Sequence, residues 1–190
     1  MTSYCRFARD HPLHADYHDR EYGFPERDDR ALFERLVLEI NQAGLSWELM
    51  LRKRGNFRQA FDGFDPERVA AYGEAERERL LSDAGIIRNR LKIDAVIHNA
   101  GVIVALSRQH GGFAGWIDLH HPLGRPEWVK LFKRHFRFTG GEIVNEFLMS
   151  TGWLPGAHEP DCPVHAEVVR LQPPWLLAAA KPTGGSPATA

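Results

Sequence analysis

The chain has 190 residues, 43% hydrophobic and 26% charged, which argues for a globular fold and against disorder. Lys plus Arg total 24 against 25 Asp plus Glu; the formal net charge of −1 excludes a uniformly basic nucleic-acid binder but leaves a basic face open. Two cysteines are too few for a disulfide framework, no apolar run approaches the roughly 20 residues that span a bilayer, and MTSYCRFARD lacks the apolar core of a signal peptide, so a cytoplasmic protein without membrane contact is expected.

The first clear element is 28–43, a helix capped by Asp28 or Asp29 and closed by Gly44, with Leu32, Phe33, Leu36 and Ile40 as its apolar stripe. A second helix follows at 46–54. At 65–72 Asp65 is an N-cap and Pro66 occupies the first helical position. The stretch 75–84 is helical by composition and stops at Gly85. A long helix runs from Asn89 to Gly111-Gly112, with Leu91, Ile93, Val96, Ile97, Ala100 and Val104 on one side. Shorter helices are expected at 113–119, 126–134, 141–151 and 163–171. No sustained period-2 alternation and no Asn-Gly or Asp-Gly hairpin turn breaks this pattern. The expectation is an all-α fold: a single helical domain over 1–177, with two lobes allowed, and a disordered small-residue tail at 178–190.

Three cationic clusters stand beside expected turns: Arg52, Lys53, Arg54 and Arg58; Arg88, Arg90 and Lys92; and Lys130, Lys133, Arg134, His135 and Arg137. They read either as solvated helix ends or as points that grip a phosphate backbone.

Three constellations could carry chemistry. Ten histidines make metal ligation worth testing, and Cys5, His18, His158 and Cys162 form a donor set that suits a closed, structural zinc, with H-x3-C spacing in the last pair. Two buried thiols and two surface histidines are the plainer alternative. Glu39 falls beside Leu32 and Leu36 at the edge of an apolar stripe, where a carboxylate either pairs with a cation or works. Tyr17, Tyr22 and Trp47 lie near it in sequence, as ordinary core or as a stacking slot for a flat ligand with Glu39 as acceptor. In RFTGGEIVNEF (137–147), Gly140-Gly141 precedes a helix and follows a basic one, so backbone N–H groups flanked by Lys133 and Arg137 could meet a phosphate. No phosphate-binding G-x4-G-K-[ST], dinucleotide G-x-G-x-x-G or H-E-x-x-H motif occurs, and Gly44-Leu45-Ser46-Trp47 is not a nucleophile elbow.

The segments YHDREYGFPERDDRALFERLVLEINQAGLSW (17–47), FDPERVA (64–70) and DAGIIRNRLKIDAVIHNA (83–100) resemble the DNA-3-methyladenine glycosylase I family, and the resemblance extends from about residue 4 to about residue 165. It implies a helix-hairpin-helix glycosylase fold with one structural zinc on Cys5, His18, His158 and Cys162, tying the N- and C-terminal segments together. It implies Glu39 as the pocket glutamate that hydrogen-bonds the damaged base and Tyr17, Tyr22 and Trp47 around that base. Gln42, Gly44 and Leu45 would wedge into the DNA gap; the backbone contacts of Lys133, Arg137, Gly140 and Gly141 rest on the residues alone. The implied activity is hydrolysis of the N-glycosidic bond of alkylated purines, chiefly 3-methyladenine, in double-stranded DNA, by a monomer working at the bacterial nucleoid.

The chain departs from the family pattern in places. Position 22 is Tyr where many members have Trp. Where members commonly read F-x-F-V-G-P-T, then Tyr, then Met-Gln-Ala, this chain reads FRFTGGEIVNEFLMST. Asp161 stands near the spacing of the aspartate that many helix-hairpin-helix glycosylases use, and beside Cys162 it reads as structural. With no candidate lysine for a Schiff base, a monofunctional enzyme is expected. Two rivals remain: a zinc-stapled helical protein that binds damaged DNA without chemistry, and a zinc hydrolase, which would need an open coordination position.

Overall fold

The computed structural model describes residues 3–179. Twelve α-helices and one 3-10 turn, Asp62–Phe64, account for its elements, with no strand among the described residues. The helices are α1 (Tyr4–Ala8), α2 (His14–Arg20), α3 (Asp29–Gln42), α4 (Trp47–Ala60), α5 (Pro66–Ala70), α6 (Glu74–Ser82), α7 (Arg90–His110), α8 (Phe113–His120), α9 (Arg125–His135), α10 (Gly141–Ser150), α11 (Pro163–Arg170) and α12 (Pro174–Ala179). No described helix is long and apolar enough to cross a membrane.

Helix α3 is the axis of the molecule. Asp28 caps it by accepting from the Ala31 N–H at 2.9 Å. Every residue from Leu32 to Asn41 is buried, polar ones included, because α4, α7, α8 and α10 all pack on it. Its C-terminus is closed from two sides. Gly44 takes the left-handed φ of +82° that a side chain would resist, and Lys92 of α7 donates its Nζ to the carbonyls of Asn41 (3.0 Å) and Ala43 (2.9 Å). That closure sets the course of the loop carrying Gly44 and Leu45.

Helix α7 packs against α3, α5, α6 and α8. Asn89 caps its start and Gly111, at φ 72°, ends it. Its Asn99 is fully buried and exchanges two hydrogen bonds with the Arg137 backbone, at 2.8 and 3.1 Å. These bonds pin the turn between α9 and α10. In that turn Phe138 holds a positive φ of 57° and is 43% exposed, and Gly140 starts α10 with no side-chain cap.

Several sequence expectations need correction. Leu91 is 67% exposed and does not belong to the buried side of α7; it lies on the outer face with Asp94, His98 and Ala105, while Lys92 and Ile93 beside it are buried. The second helix runs on to Ala60, through Gly55, since Phe57 and Ala60 bury against the main core. Helices α1, α2 and α12 carried no clear sequence signal. Helix α12 reaches Ala179, across the expected boundary at 177, and the rest of the expected tail, 180–190, lies outside the described residues.

The cationic clusters divide. Arg54 grips Glu21 at 2.6 Å through each of two nitrogens and also bonds Glu34, while Arg58 bonds Glu34 at 2.9 Å. Arg52 pairs with Glu48, Arg90 with Glu74, and Lys53 binds the carbonyls of Ala84 and Gly85. The first cluster is therefore spent inside the protein, locking α3 to α4. Lys133 and Arg137 are exposed and make no ion pair among the described residues.

Candidate active site

Five helices and one loop converge on a cavity of about 320 Å³ lined by Tyr4, Tyr17, Tyr22, Glu39, Gln42, Trp47 and Glu146. Tyr4 comes from α1, Tyr17 from α2, Tyr22 from the loop after α2, Glu39 and Gln42 from α3, Trp47 from the start of α4 and Glu146 from α10. The structure thus unites the four residues singled out in sequence, Tyr17, Tyr22, Glu39 and Trp47. Sequence reasoning missed Tyr4, on the short helix α1, and Glu146, on α10, neither of which carries a local pattern. Asp161 is exposed and outside this lining, and among the described residues no lysine contributes to it.

The aromatic wall is preset. Arg35, buried on α3, donates to the Tyr17 hydroxyl at 2.8 Å, lies 4.7 Å from the centre of the Tyr17 ring, and reaches Glu21 at 3.2 Å. Tyr17 in turn packs on Trp47, ring centres 5.2 Å apart, and on Tyr22 at 5.7 Å. The Trp47 indole N–H is buried without a partner. Burial holds the hydroxyls of Tyr4, Tyr17 and Tyr22 above the ordinary phenol range, so all three stay neutral.

Glu39 is 5% exposed. Burial pushes its carboxyl up to about 8; Arg35, whose guanidinium is committed to Tyr17 and Glu21, pulls it partway back, and Glu146 adds to the rise. Glu146 is also raised, by burial first and by neighbouring Glu142. A polar, electron-rich cavity with two carboxyls reluctant to ionise suits a flat cation: ring faces attract it, and its charge would favour ionisation of the carboxyls.

Beside this cavity a groove runs past Gln42, Ala43, Gly44 and Leu45 to Gly140, Gly141, Glu142 and Ile143. Leu45 is 43% exposed on its rim. The start of α10 is open to solvent: a Cβ at Gly140 would meet nothing, and one at Gly141 only Val129 Cγ2 at 3.9 Å. Uncapped N–H groups there are available to an anion. Glu142 pairs with Arg125 rather than with Lys133 or Arg137.

The second cluster is Cys5, His18, His158 and Cys162, all buried, with ligand atoms within 4.8 Å of one another; it could hold a metal ion. The hydrogen bonds select the ligating atoms. His158 Nε2 lies 2.6 Å from the Tyr22 carbonyl, which leaves Nδ1 for a metal, and His18 Nδ1 lies 2.6 Å from Asp19, which leaves Nε2. Those two nitrogens are 3.2 Å apart, and the sulfurs stand 3.7–3.9 Å from them. Gly23 permits the arrangement: at φ +81° its absent Cβ would fall 2.6 Å from Ala157 Cβ and 3.2 Å from the His158 ring.

A nearby trio, His11, His14 and Glu48, has comparable spacing but the wrong chemistry. His11 Nδ1 accepts from the Leu13 and His14 N–H groups at 3.3 Å, so the proton of its neutral ring sits on Nε2, and Arg52 holds Glu48.

The family model for methyladenine glycosylase matches residues 7–124. DNA-3-methyladenine glycosylase 1 of Escherichia coli (strain K12) is 38% identical, the match covering 78% of this chain and 89% of that protein. Among solved structures, the 3-methyladenine DNA glycosylase I of Staphylococcus aureus superposes with a TM-score of 0.77 at 29% identity, covering 84% of this chain and 95% of that one. A variant of 3-methyladenine DNA glycosylase I in complex with 3-methyladenine superposes at 0.79 with 28% identity, covering 86% and 97%.

Proposed function

The chain belongs to the methyladenine glycosylase family, and from that membership we propose that its aromatic cavity receives an N3-alkylated adenine turned out of duplex DNA. It is an enzyme, a 3-methyladenine DNA glycosylase that hydrolyses the N-glycosidic bond. The observation that carries the reading at residue level is the buried Glu39 in a cavity walled by Tyr17, Tyr22 and Trp47.

Alkylation at N3 leaves the base positively charged while it is attached to the sugar, so it is already a good leaving group. Turning it out of the stack costs a few kcal/mol, which the weakened stacking of a damaged base reduces. Tyr17, Tyr22 and Trp47 reward the cationic ring over neutral adenine. Glu39 accepts a hydrogen bond from the base and ionises as the cation enters. The carboxylate that burial suppressed is then opposite a positive charge, and discrimination comes from that coupling. Gln42, Gly44 and Leu45 line the gap left in the duplex, with Leu45 as the wedge. Gly140 and Gly141 give backbone N–H groups to a phosphate, and Lys133 and Arg137 add charge to the same strand.

Zinc is the metal for Cys5, His18, His158 and Cys162. A tetrahedral ion with Zn–N near 2.0 Å and Zn–S near 2.3 Å sets its ligand atoms roughly 3.3–3.8 Å apart, close to the spacing here. Four protein ligands leave no position for water, so the ion would staple α1 and α2 to the start of α11 and take no part in hydrolysis.

Chromatography of the products from methylated duplex DNA tests the function. Purified protein should release free 3-methyladenine. A protein that retains methylated duplex but liberates no base would be a binding module instead.

A further inference from the structure

Glu39, Gln42 and Glu146 are the three residues shared by the base cavity and the groove that leads to Gly140 and Gly141. They form the neck between the two. With the base in the cavity and the backbone along the groove, the bond joining base to sugar passes through this neck.

Glu146 differs from the other two. It is half-buried in the middle of α10, where Val144, Phe147 and Leu148 pack in the core and the buried Ser150 hydroxyl donates to the Phe147 carbonyl. It makes no ion pair among the described residues. Arg125 across on α9 is taken by Glu142, one turn earlier on the same helix. The Tyr22 hydroxyl donates to its Oε2 over a long 3.5 Å, and the neighbouring Asn145 side chain also favours its charged form. Glu39 on α3 faces it with like charge, and Glu142 and Asn145 flank it on its own helix. A serine or alanine would fill the position without this cost; an unpaired carboxylate half out of water is retained where it meets a positive charge the protein alone does not supply.

We propose that Glu146 is a second catalytic carboxylate, acting on the deoxyribose rather than on the base; this rests on the glycosylase reading above. Its oxygen holds a water over C1′ and takes one proton from it as the water oxygen bonds to C1′. The C1′–N9 bond breaks with its electron pair going to N9, which turns the cationic base into neutral 3-methyladenine. The proton on Glu146 then passes to solvent. While the bond breaks, positive charge gathers on the sugar, and the ionised carboxylate stabilises it. The two glutamates thus divide the work: Glu39 binds the base, and Glu146 serves the carbon it leaves.

Single-turnover excision of 3-methyladenine from methylated duplex, beside equilibrium binding of free 3-methyladenine followed by intrinsic tryptophan fluorescence, separates the roles. Glu146→Gln keeps the shape and removes the charge. It should lower the excision rate about a hundredfold while leaving free-base affinity and thermal midpoint near those of the wild type. Glu39→Gln should weaken free-base binding itself. Excision by Glu146→Gln at the wild-type rate overturns the proposal. So does an equal loss of excision and free-base affinity, which would make Glu146 a base-recognition residue. Wild-type protein that releases no base would overturn the glycosylase reading, and the wild-type arm reports that separately.

Discussion

A carboxyl held at about 8 in the folded chain, against 4.5 for an ordinary glutamate, makes Glu39 a stability statement as well as a functional one. The native state binds its proton more tightly than the unfolded chain. The proton is therefore kept at no cost below the unfolded value, and stability is lost as pH rises from about 4.5 to about 8, by an amount on the order of 5 kcal/mol. Glu39→Gln removes that dependence. The thermal midpoint of the variant relative to wild type should climb between pH 5 and pH 9, and a difference that stays flat would mean Glu39 is ionised throughout. Trp47→Ala should abolish measurable binding of free 3-methyladenine, followed by calorimetry because the substitution removes the cavity's own tryptophan, and destabilise the fold by roughly 2–4 kcal/mol, because its half-buried ring also leans on Tyr17. An affinity that survives this truncation would remove Trp47 from the wall.

Among the elements, the α9–α10 turn lies beyond the residues that the family model matches, 7–124, and its geometry separates fold from function. Space around Gly140 and Gly141 is open, so Gly141→Val should fold normally. Its side chain would stand where a phosphate approaches the α10 N–H groups. Binding of damaged and undamaged duplexes should weaken alike, since phosphates carry no sequence information. Lys133→Ala should do the same and reduce the salt dependence of the binding constant by about one. Glu142 adds a test of opposite sign. Its pair with Arg125 is mostly solvent-exposed and contributes little to stability, so Glu142→Gln should free a cation, remove an anion and tighten duplex binding. A titration of Gly141→Val against undamaged DNA at two salt concentrations that shows wild-type affinity would take this turn out of the interface.

Across the whole molecule, the Cys/His cluster joins segments about 150 residues apart. It anchors a small satellite core of Cys5, Cys162, Val164 and Val168, with Phe24 packed on it. Tyr4 belongs to the same N-terminal helix as Cys5, and the Tyr22 carbonyl orients His158, so the staple also frames one side of the base cavity. Metal analysis should find one zinc per chain. Cys162→Ala should lose it and lower the thermal midpoint by about 10 °C, with weaker free-base binding as Tyr4 and Tyr22 loosen. A metal-free wild-type protein with an unchanged midpoint would remove the staple.

Local signals were enough to determine α3, α4, α5 and α7, though not α1 and α2, which also carry site residues. Asp28, Ser46, Asp65 and Asn89 are caps whose side chains bond the backbone just ahead, and Gly44 and Gly111 end helices by a conformation that other residues resist; both depend on near neighbours in the chain. The 17–47 segment held Tyr17, Tyr22, Glu39 and Trp47 together for the same reason: α2, α3 and α4 are consecutive. Tertiary structure alone decided the rest. Arg54 and Arg58 looked as available as Lys133 until Glu21 and Glu34 met them from other elements. Leu91 was placed on a stripe with buried residues but lies on the outer face of α7, beside the buried Lys92 and Ile93. Glu146 carried no local signal, and only the packing of α10 against α3 brings it to the neck beside Glu39. Charge pairing, burial and a carboxyl's proton affinity depend on what stands across a few ångströms of space, and for these residues those neighbours come from distant parts of the chain.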